Sequence, residues 1–179
     1  MSNDWKLTKK IRIHDYFYKS LEEWTFKTHA NKEKTYIIDV EPDTVVVFGI
    51  TRDDKVLTLR EYFLAPQKRV LSLVAGIVDK EKSLVEIAVE ELREETGCVA
   101  SEMVYLGHLI KGKYTAGLVH LFLAKNVERK YEQQLEDSED IEVNFMGLEQ
   151  FKEALRQGGL SPLHEFAVAY RALDYLGKL

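Results

Sequence analysis

Residues 76–98 read GIVDKEKSLVEIAVEELREETGC. Ser83 followed three positions later by Glu86 is the pattern of a capping box, which opens a helix. Gly97 suits the left-handed residue that closes one. The spacing therefore predicts a helix between them. At about 100° per residue, with Glu90 as zero, Glu94 falls at about 40°, Glu91 at about 100° and Glu95 at about 140°. Val85, Val89 and Leu92 cluster at about 200–260° and are the face expected to meet a sheet. One continuous carboxylate face lies beside them.

That carboxylate face opposes helix stability. The last turn of a helix carries partial negative charge, and a carboxylate there costs about 0.3–1 kcal/mol. Glu90/Glu94 and Glu91/Glu95 are like charges one turn apart, and each pair costs roughly a few tenths of a kcal/mol more. Arg93 offsets only part of this. A solvated acidic surface is the plain reading, and these penalties weigh against it. The functional reading is a divalent cation site, since hard cations take carboxylate oxygens and share them with substrate phosphates.

Working outward, TYIIDV (35–40), DTVVVFGI (43–50) and KVLTLREYF (55–63) are β-branched and aromatic, punctuated by Pro42-Asp43 and Asp53-Asp54. RVLSLVAG (69–76) reads as one further strand. After the glutamate helix come MVYLGHLI (103–110) and LVHLFLAKNV (118–127), then a charged stretch without apolar periodicity, 126–140, expected to be a mobile loop. IEVNFMG (141–147) is a short strand. A helix is predicted from Leu148 to Gln157, with Leu148, Phe151 and Leu155 on one face and Gly158-Gly159 as its stop. A second is predicted with Ser161 as N-cap and Pro162 at its first position, burying Leu163, Phe166, Ala167, Tyr170 and Leu173. Without repeats or a Gly/Ser/Pro-rich linker, the expectation is one α/β domain over residues 1–179, a mixed sheet with helices on both sides.

Composition narrows the function classes. The chain has 179 residues, 45% hydrophobic and 31% charged, with a formal net charge of −5; acidity argues against a nucleic-acid surface. The apolar runs are too short to span a bilayer, and MSNDWKLTKK has no apolar stretch behind its charges. Cys98 is the single cysteine, so a cytoplasmic location is the default expectation. Histidines 14, 29, 108, 120 and 164 show no metal-ligand spacing.

Residues 76–98 resemble the Nudix box of the Nudix hydrolases, whose pattern is Gly, five residues, Glu, seven residues, then Arg-Glu-aliphatic-x-Glu-Glu-x-Gly-aliphatic. Gly76, Glu91, Leu92, Glu94, Glu95 and Gly97 fall in register. LSLVAGIVD (71–79), LVHLFLAKNV and residues 138–173 look like the ADP-ribose and nucleoside-diphosphate-sugar pyrophosphatase branch. That resemblance implies an α/β/α sandwich, Mg²⁺ dependence with Mn²⁺ as a substitute, a small nucleotide substrate, and a homodimer formed through N-terminal strands within residues 1–40. It implies Glu91 and Glu95 as metal ligands, Glu94 as a further ligand or the holder of a metal-bound water, and the carbonyl of Ala75 completing the shell. Glu139 is the expected catalytic base, with Glu136 next and Glu94 after it. Arg60, Arg69, Lys111 and Lys113 are candidates for phosphate contacts, and Trp24 for stacking on the base.

Some positions depart from the family pattern. The first box glutamate is Lys82 and the box arginine is Glu90, which reads either as a reversed ion pair or as independent drift. Val74 replaces a proline, Phe63 an arginine, and Ala116-Gly117 an acidic pair. The leading expectation is hydrolysis of the pyrophosphate of ADP-ribose or a related nucleoside diphosphate sugar, giving nucleoside monophosphate and sugar phosphate. The alternative is a chain of the same fold that binds nucleotide or regulates without catalysing; a plain interaction protein sits badly with the intact glutamates.

Overall fold

The computed structural model describes residues 4–78, 81–160 and 162–179. In chain order the elements are β1 Lys6–Tyr16, β2 Lys19–Lys27, β3 Glu33–Val40, β4 Thr44–Ile50, β5 Lys55–Phe63, β6 Lys68–Ser72, β7 Val74–Ile77, α1 Leu84–Thr96, β8 Cys98–Val99, β9 Glu102–Ile110, β10 Thr115–Ala116, β11 Leu118–Lys125, β12 Glu128–Arg129, β13 Ile141–Gly147, α2 Leu148–Arg156 and α3 Leu163–Tyr175. The chain divides into two compact units, Met1–Asp43 with Ile110–Leu118, and Thr44–Leu109 with Val119–Leu179.

The first unit is a sheet in the order β1-β2-β3-β10. Its β1 is exposed along its whole length and pairs with β2. Aromatic side chains cluster there: Tyr36 stacks on Tyr114 at 5.8 Å, and Trp5 lies 6.1 Å from Tyr36.

The second unit is a mixed sheet in the order β13-β5-β4-β11-β9, with β6 on β5 and β7 on β4. It is sandwiched as an α/β/α fold. One face carries Val46, Phe48, Leu121 and Leu123 against Phe151 of α2 and Val168, Ala169, Ala172 and Leu173 of α3. The other carries Val45, Val47, Leu57, Leu59 and Phe122 against Ile87, Ala88 and Leu92 of α1. The alternating phase of the strands sends successive residues to opposite faces, so β4 alone feeds both cores.

The stretch expected as one strand, 69–76, is two. β4 and β5 pair directly only near their turn, Gly49 with Leu57 and Ile50 with Val56. Farther out, β6 pairs with β5 and β7 pairs with β4. Leu73 is the residue at which the chain changes partners, and its N–H is taken by the buried carboxyl group of Glu165 at 2.6 Å. A buried backbone donor without an acceptor is costly, so the switch depends on a side chain from α3.

That requirement explains a second correction. Leu163, Phe166 and Tyr170, expected in the core, are 84%, 40% and 53% exposed. The buried stripe is Glu165, Val168, Ala169, Ala172 and Leu173. A glutamate heads an otherwise apolar helical face, and a reading that places acids outside rotates the helix away from it. The helix itself begins at Leu163, with Pro162 as the extended residue before it; the expected cap Ser161 lies outside the described residues. α2 keeps its predicted face, with Phe151 fully buried. The segment 126–140 is not a plain loop, because β12 within it pairs with β8.

Candidate active site

The capping box forms. Glu86 N donates to Ser83 Oγ at 3.3 Å and Ser83 N donates to Glu86 Oε2 at 2.8 Å. Gly97 closes α1 at φ 68° with its N–H on Arg93 O. A Cβ at this position would meet Tyr131 O at 2.0 Å, so glycine is demanded by both backbone angle and space.

The buried side of α1 differs from expectation. Ile87, Ala88, Leu92, Glu95 and Thr96 are buried, whereas Val85 and Val89 are 43% and 47% exposed. The helix is turned so that Glu91 and Glu95 face the sheet. Two features of β7 hold them. Gly76 leaves the space in which Glu91 lies, and Ala75 N donates to Glu95 Oε2 at 3.3 Å.

Burial of two acids one turn apart raises both pKa values. Glu91 is pushed up to about 7, first by burial and then by repulsion from Glu94, Glu139, Glu136 and Glu90. Glu95 is driven well above the ordinary carboxylate value by burial, then by Glu91 and Glu61, against the opposing hydrogen bond from Ala75. Glu61 is itself raised, by burial first and by Glu139 last. Glu61 was missed in the sequence, although strand alternation places it in phase with Leu57 and Leu59, which face α1.

The donor set fits a divalent cation. Hard carboxylate oxygens converge in a partly dry site with an excess of negative charge, which a cation would relieve. Among the described residues, no three acidic, histidine or cysteine side chains are already gathered as a coordination shell. Glu94 is exposed on the next flank of α1.

Glu139 lies in a turn in which Glu139 N donates to Glu136 O at 3.0 Å and Glu136 N donates to Glu139 Oε2 at 2.8 Å. Its charge reaches Glu61, Glu91 and Glu95, so the fold brings the expected base toward the expected ligands. Arg60 is exposed on β5. Arg69, on β6, is engaged by Asp140, 2.5 Å from its carboxylate.

Trp24, Lys111 and Lys113 belong to the first unit. Lys111 Nζ donates to Glu41 Oε2 at 3.0 Å and to Pro42 O at 2.9 Å, which commits its ammonium group to the protein. Trp24 donates to Glu22 at 2.8 Å and carries Lys10 Nζ 3.7 Å from its ring centroid. Lys113 stands 5.3 Å from the Tyr114 ring. Trp5 and Tyr114, which no motif singled out, line an aromatic cavity of about 140 Å³ with Phe26, Tyr36, Ile38 and Lys113.

The two reversed box positions meet: Lys82 Nζ and Glu90 Oε2 are 2.6 Å apart. Among the described residues no helix is long and apolar enough to cross a membrane.

The family model of the NUDIX domain matches residues 40–166. The chain is 28% identical over 90 residues to a methanol dehydrogenase activator of Bacillus methanolicus, a match spanning 50% of this chain and 49% of that protein. It is 26% identical over 137 residues to an ADP-ribose pyrophosphatase of Bacillus subtilis, across 75% and 72% of the two chains. A crystal structure of an ADP compounds hydrolase shares the fold, with a TM-score of 0.82 over 98% of this chain and 97% of that one at 17% identity.

Proposed function

The chain belongs to the Nudix family, and from that premise we propose that it is a Mg²⁺-dependent pyrophosphatase acting on ADP-ribose or a related nucleoside diphosphate sugar. The observation that carries this reading is the seating of Glu91 and Glu95 against β7. Burial and mutual repulsion oppose ionising both, and a cation would relieve that opposition.

Glu91, Glu95 and the Ala75 carbonyl, with Glu94 beside them, would hold a divalent ion, which would supply neutralisation of the pyrophosphate oxygens and a lowered pKa for a water. Glu139 receives the proton from the attacking water. The α1 glutamates are fixed by strand contacts before substrate arrives, so little reorganisation is needed. Arg60 and Lys113 are kept as separate candidates for phosphate contacts. The reading keeps residues 1–179 as one working domain in the cytoplasm. It includes a homodimer through the N-terminal strands, supported by the exposed apolar side chains Leu7, Ile11, Ile13 and Tyr16 on β1.

The test is a panel of ADP-ribose and nucleoside diphosphate sugars assayed for nucleoside monophosphate with Mg²⁺, with Mn²⁺ and with chelator. Release that depends on the cation and falls by orders of magnitude in Glu91→Gln and Glu95→Gln supports the reading. Equal release in chelator, or no release from any substrate, overturns it. Tight binding without release would favour the regulatory alternative, to which the likeness to an activator protein lends support.

A further inference from the structure

We propose that Arg69 and Gln133 are positioning residues that clamp the turn bearing Glu139 from two sides; the role rests on Glu139 being the base. Residues 130–140 link β12 to β13 and pass the C-terminal end of α1. At the α1 end, Lys130 N and Tyr131 N both donate to Gly97 O at 2.9 Å, and Gln134 N donates to Glu94 O at 2.8 Å. Gln133 then reaches across the segment. Its Nε2 donates to Glu95 O at 2.8 Å and to Ile141 O at 3.2 Å. One amide therefore joins the last turn of the glutamate helix to the residue two positions past Glu139.

Arg69 grips from β6. Its Nη2 lies 2.5 Å from Asp140 Oδ2, and its Nη1 donates to Asp140 O and Arg60 O, each at 3.4 Å. Glu142 adds a weaker contact at 3.6 Å. A single exposed ion pair fixes little. Here a planar fork binds side-chain and main-chain oxygens of Asp140 together with the backbone of β5, which a guanidinium suits and a point charge does not. The hydrogen bonds of Glu139 described above stay within its own turn, so its location is inherited from residues 133, 140 and 141. With its guanidinium spent in this way, Arg69 serves the reaction through Glu139 and not through the phosphates.

The experiment measures kcat and KM for Arg69→Ala, Arg69→Lys, Asp140→Asn and Gln133→Ala, each alone and with Glu139→Gln. Misplacing a base by about 1 Å costs on the order of a hundredfold in rate. Arg69→Ala is therefore expected to lower kcat by about ten- to a hundredfold with KM changed by less than about threefold. Asp140→Asn should follow it, Gln133→Ala should act in the same direction, and Arg69→Lys should recover part of the loss. Combined with Glu139→Gln, Arg69→Ala should cost little more than Glu139→Gln alone, because both act through one group. A rise in KM with kcat preserved would make Arg69 a phosphate contact and overturn the proposal, as would full multiplication of the two losses. Should Glu139→Gln be nearly silent, the base assignment fails by itself. The clamp is then decided by amide exchange over residues 135–140: faster exchange confined there in Arg69→Ala and Gln133→Ala upholds it, and unchanged protection overturns it.

Discussion

The carboxylate of Glu91 occupies the place where a side chain on residue 76 would be: a Cβ built on Gly76 stands 2.1 Å from Glu91 Oε1 and 2.3 Å from its Cγ. The box glycine is thus a steric requirement of the box glutamate fifteen residues later. Gly76→Ala leaves the backbone conformation accessible and collides with the Glu91 side chain from Cγ outward. We expect activity to fall by at least about a hundredfold through displacement of Glu91. Stability should change by less than about 1 kcal/mol, roughly 2–4 °C in Tm for a chain of this size. Kinetics and a thermal melt on the same preparation check both halves.

Cation binding should be linked to protons at Glu91. Without a cation its pKa is about 7, above the ordinary value of about 4.3 for an unfolded chain. The folded form therefore holds a proton that the unfolded form releases. The sign follows: stability of the cation-free protein falls as pH rises from the unfolded value toward 7. A cation binds the ionised form and reverses this loss. The rise in Tm on adding Mg²⁺ should be larger at pH 8 than at pH 5.5, with proton release on binding, and Glu91→Gln should flatten the dependence. Equal Tm gains at both pH values would contradict the linkage.

The Glu165 carboxyl is the more extreme case. Burial pushes it up to about 9 while Leu73 N–H pulls the other way, so it is neutral at pH 7. Its stabilising contribution is complete below the unfolded value of about 4.3 and lessens as pH rises toward 9. Glu165→Gln keeps an acceptor for Leu73 and has no charge to bury. Its Tm should exceed that of the parent at pH 8, and the difference should shrink toward pH 5. Glu165→Ala strands the Leu73 donor and should cost about 1–3 kcal/mol or more. A Gln variant less stable than the parent at pH 8 would show that the carboxyl is ionised in place.

Lys82 and Glu90 stand 2.6 Å apart, the contact that the reversed-pair reading expects. Both side chains are nearly half exposed, so their mutual stabilisation should be about 0.2–1 kcal/mol. Lys82→Glu and Glu90→Lys should each lose stability, and the double reversal should recover it. Additive losses in this double-mutant cycle would mean that the contact contributes nothing.

Much of the site was legible locally. The capping box, the closing glycine and the spacing of Glu91 and Glu95 involve residues within one or two helical turns, where backbone geometry links sequence distance to spatial distance. Most strands around them were legible as well, because β-branched and aromatic residues gather in runs between turn residues, although 69–76 reads as one strand and is two. The rotation of α1 was not legible. Aliphatic content favoured the side with Val85 and Val89, while the fold buries Ile87, Ala88 and Leu92 and seats Glu91 and Glu95 against Gly76 and the Ala75 N–H. The same holds for α3, where Glu165 is drawn inward by one unpaired N–H at the point where β6 gives way to β7. Arg69 and Gln133 were opaque for a related reason: their acceptors are Asp140, Ile141 and Glu95, up to 71 residues away in sequence. What the chain alone determined, then, was the periodic elements and the chemistry carried on one of them, because those depend on neighbours along the backbone. Which faces turned inward, and which groups hold the glutamates and the Glu139 turn in place, only the folded structure decided, because a buried donor or carboxylate takes whatever partner the packing brings to it.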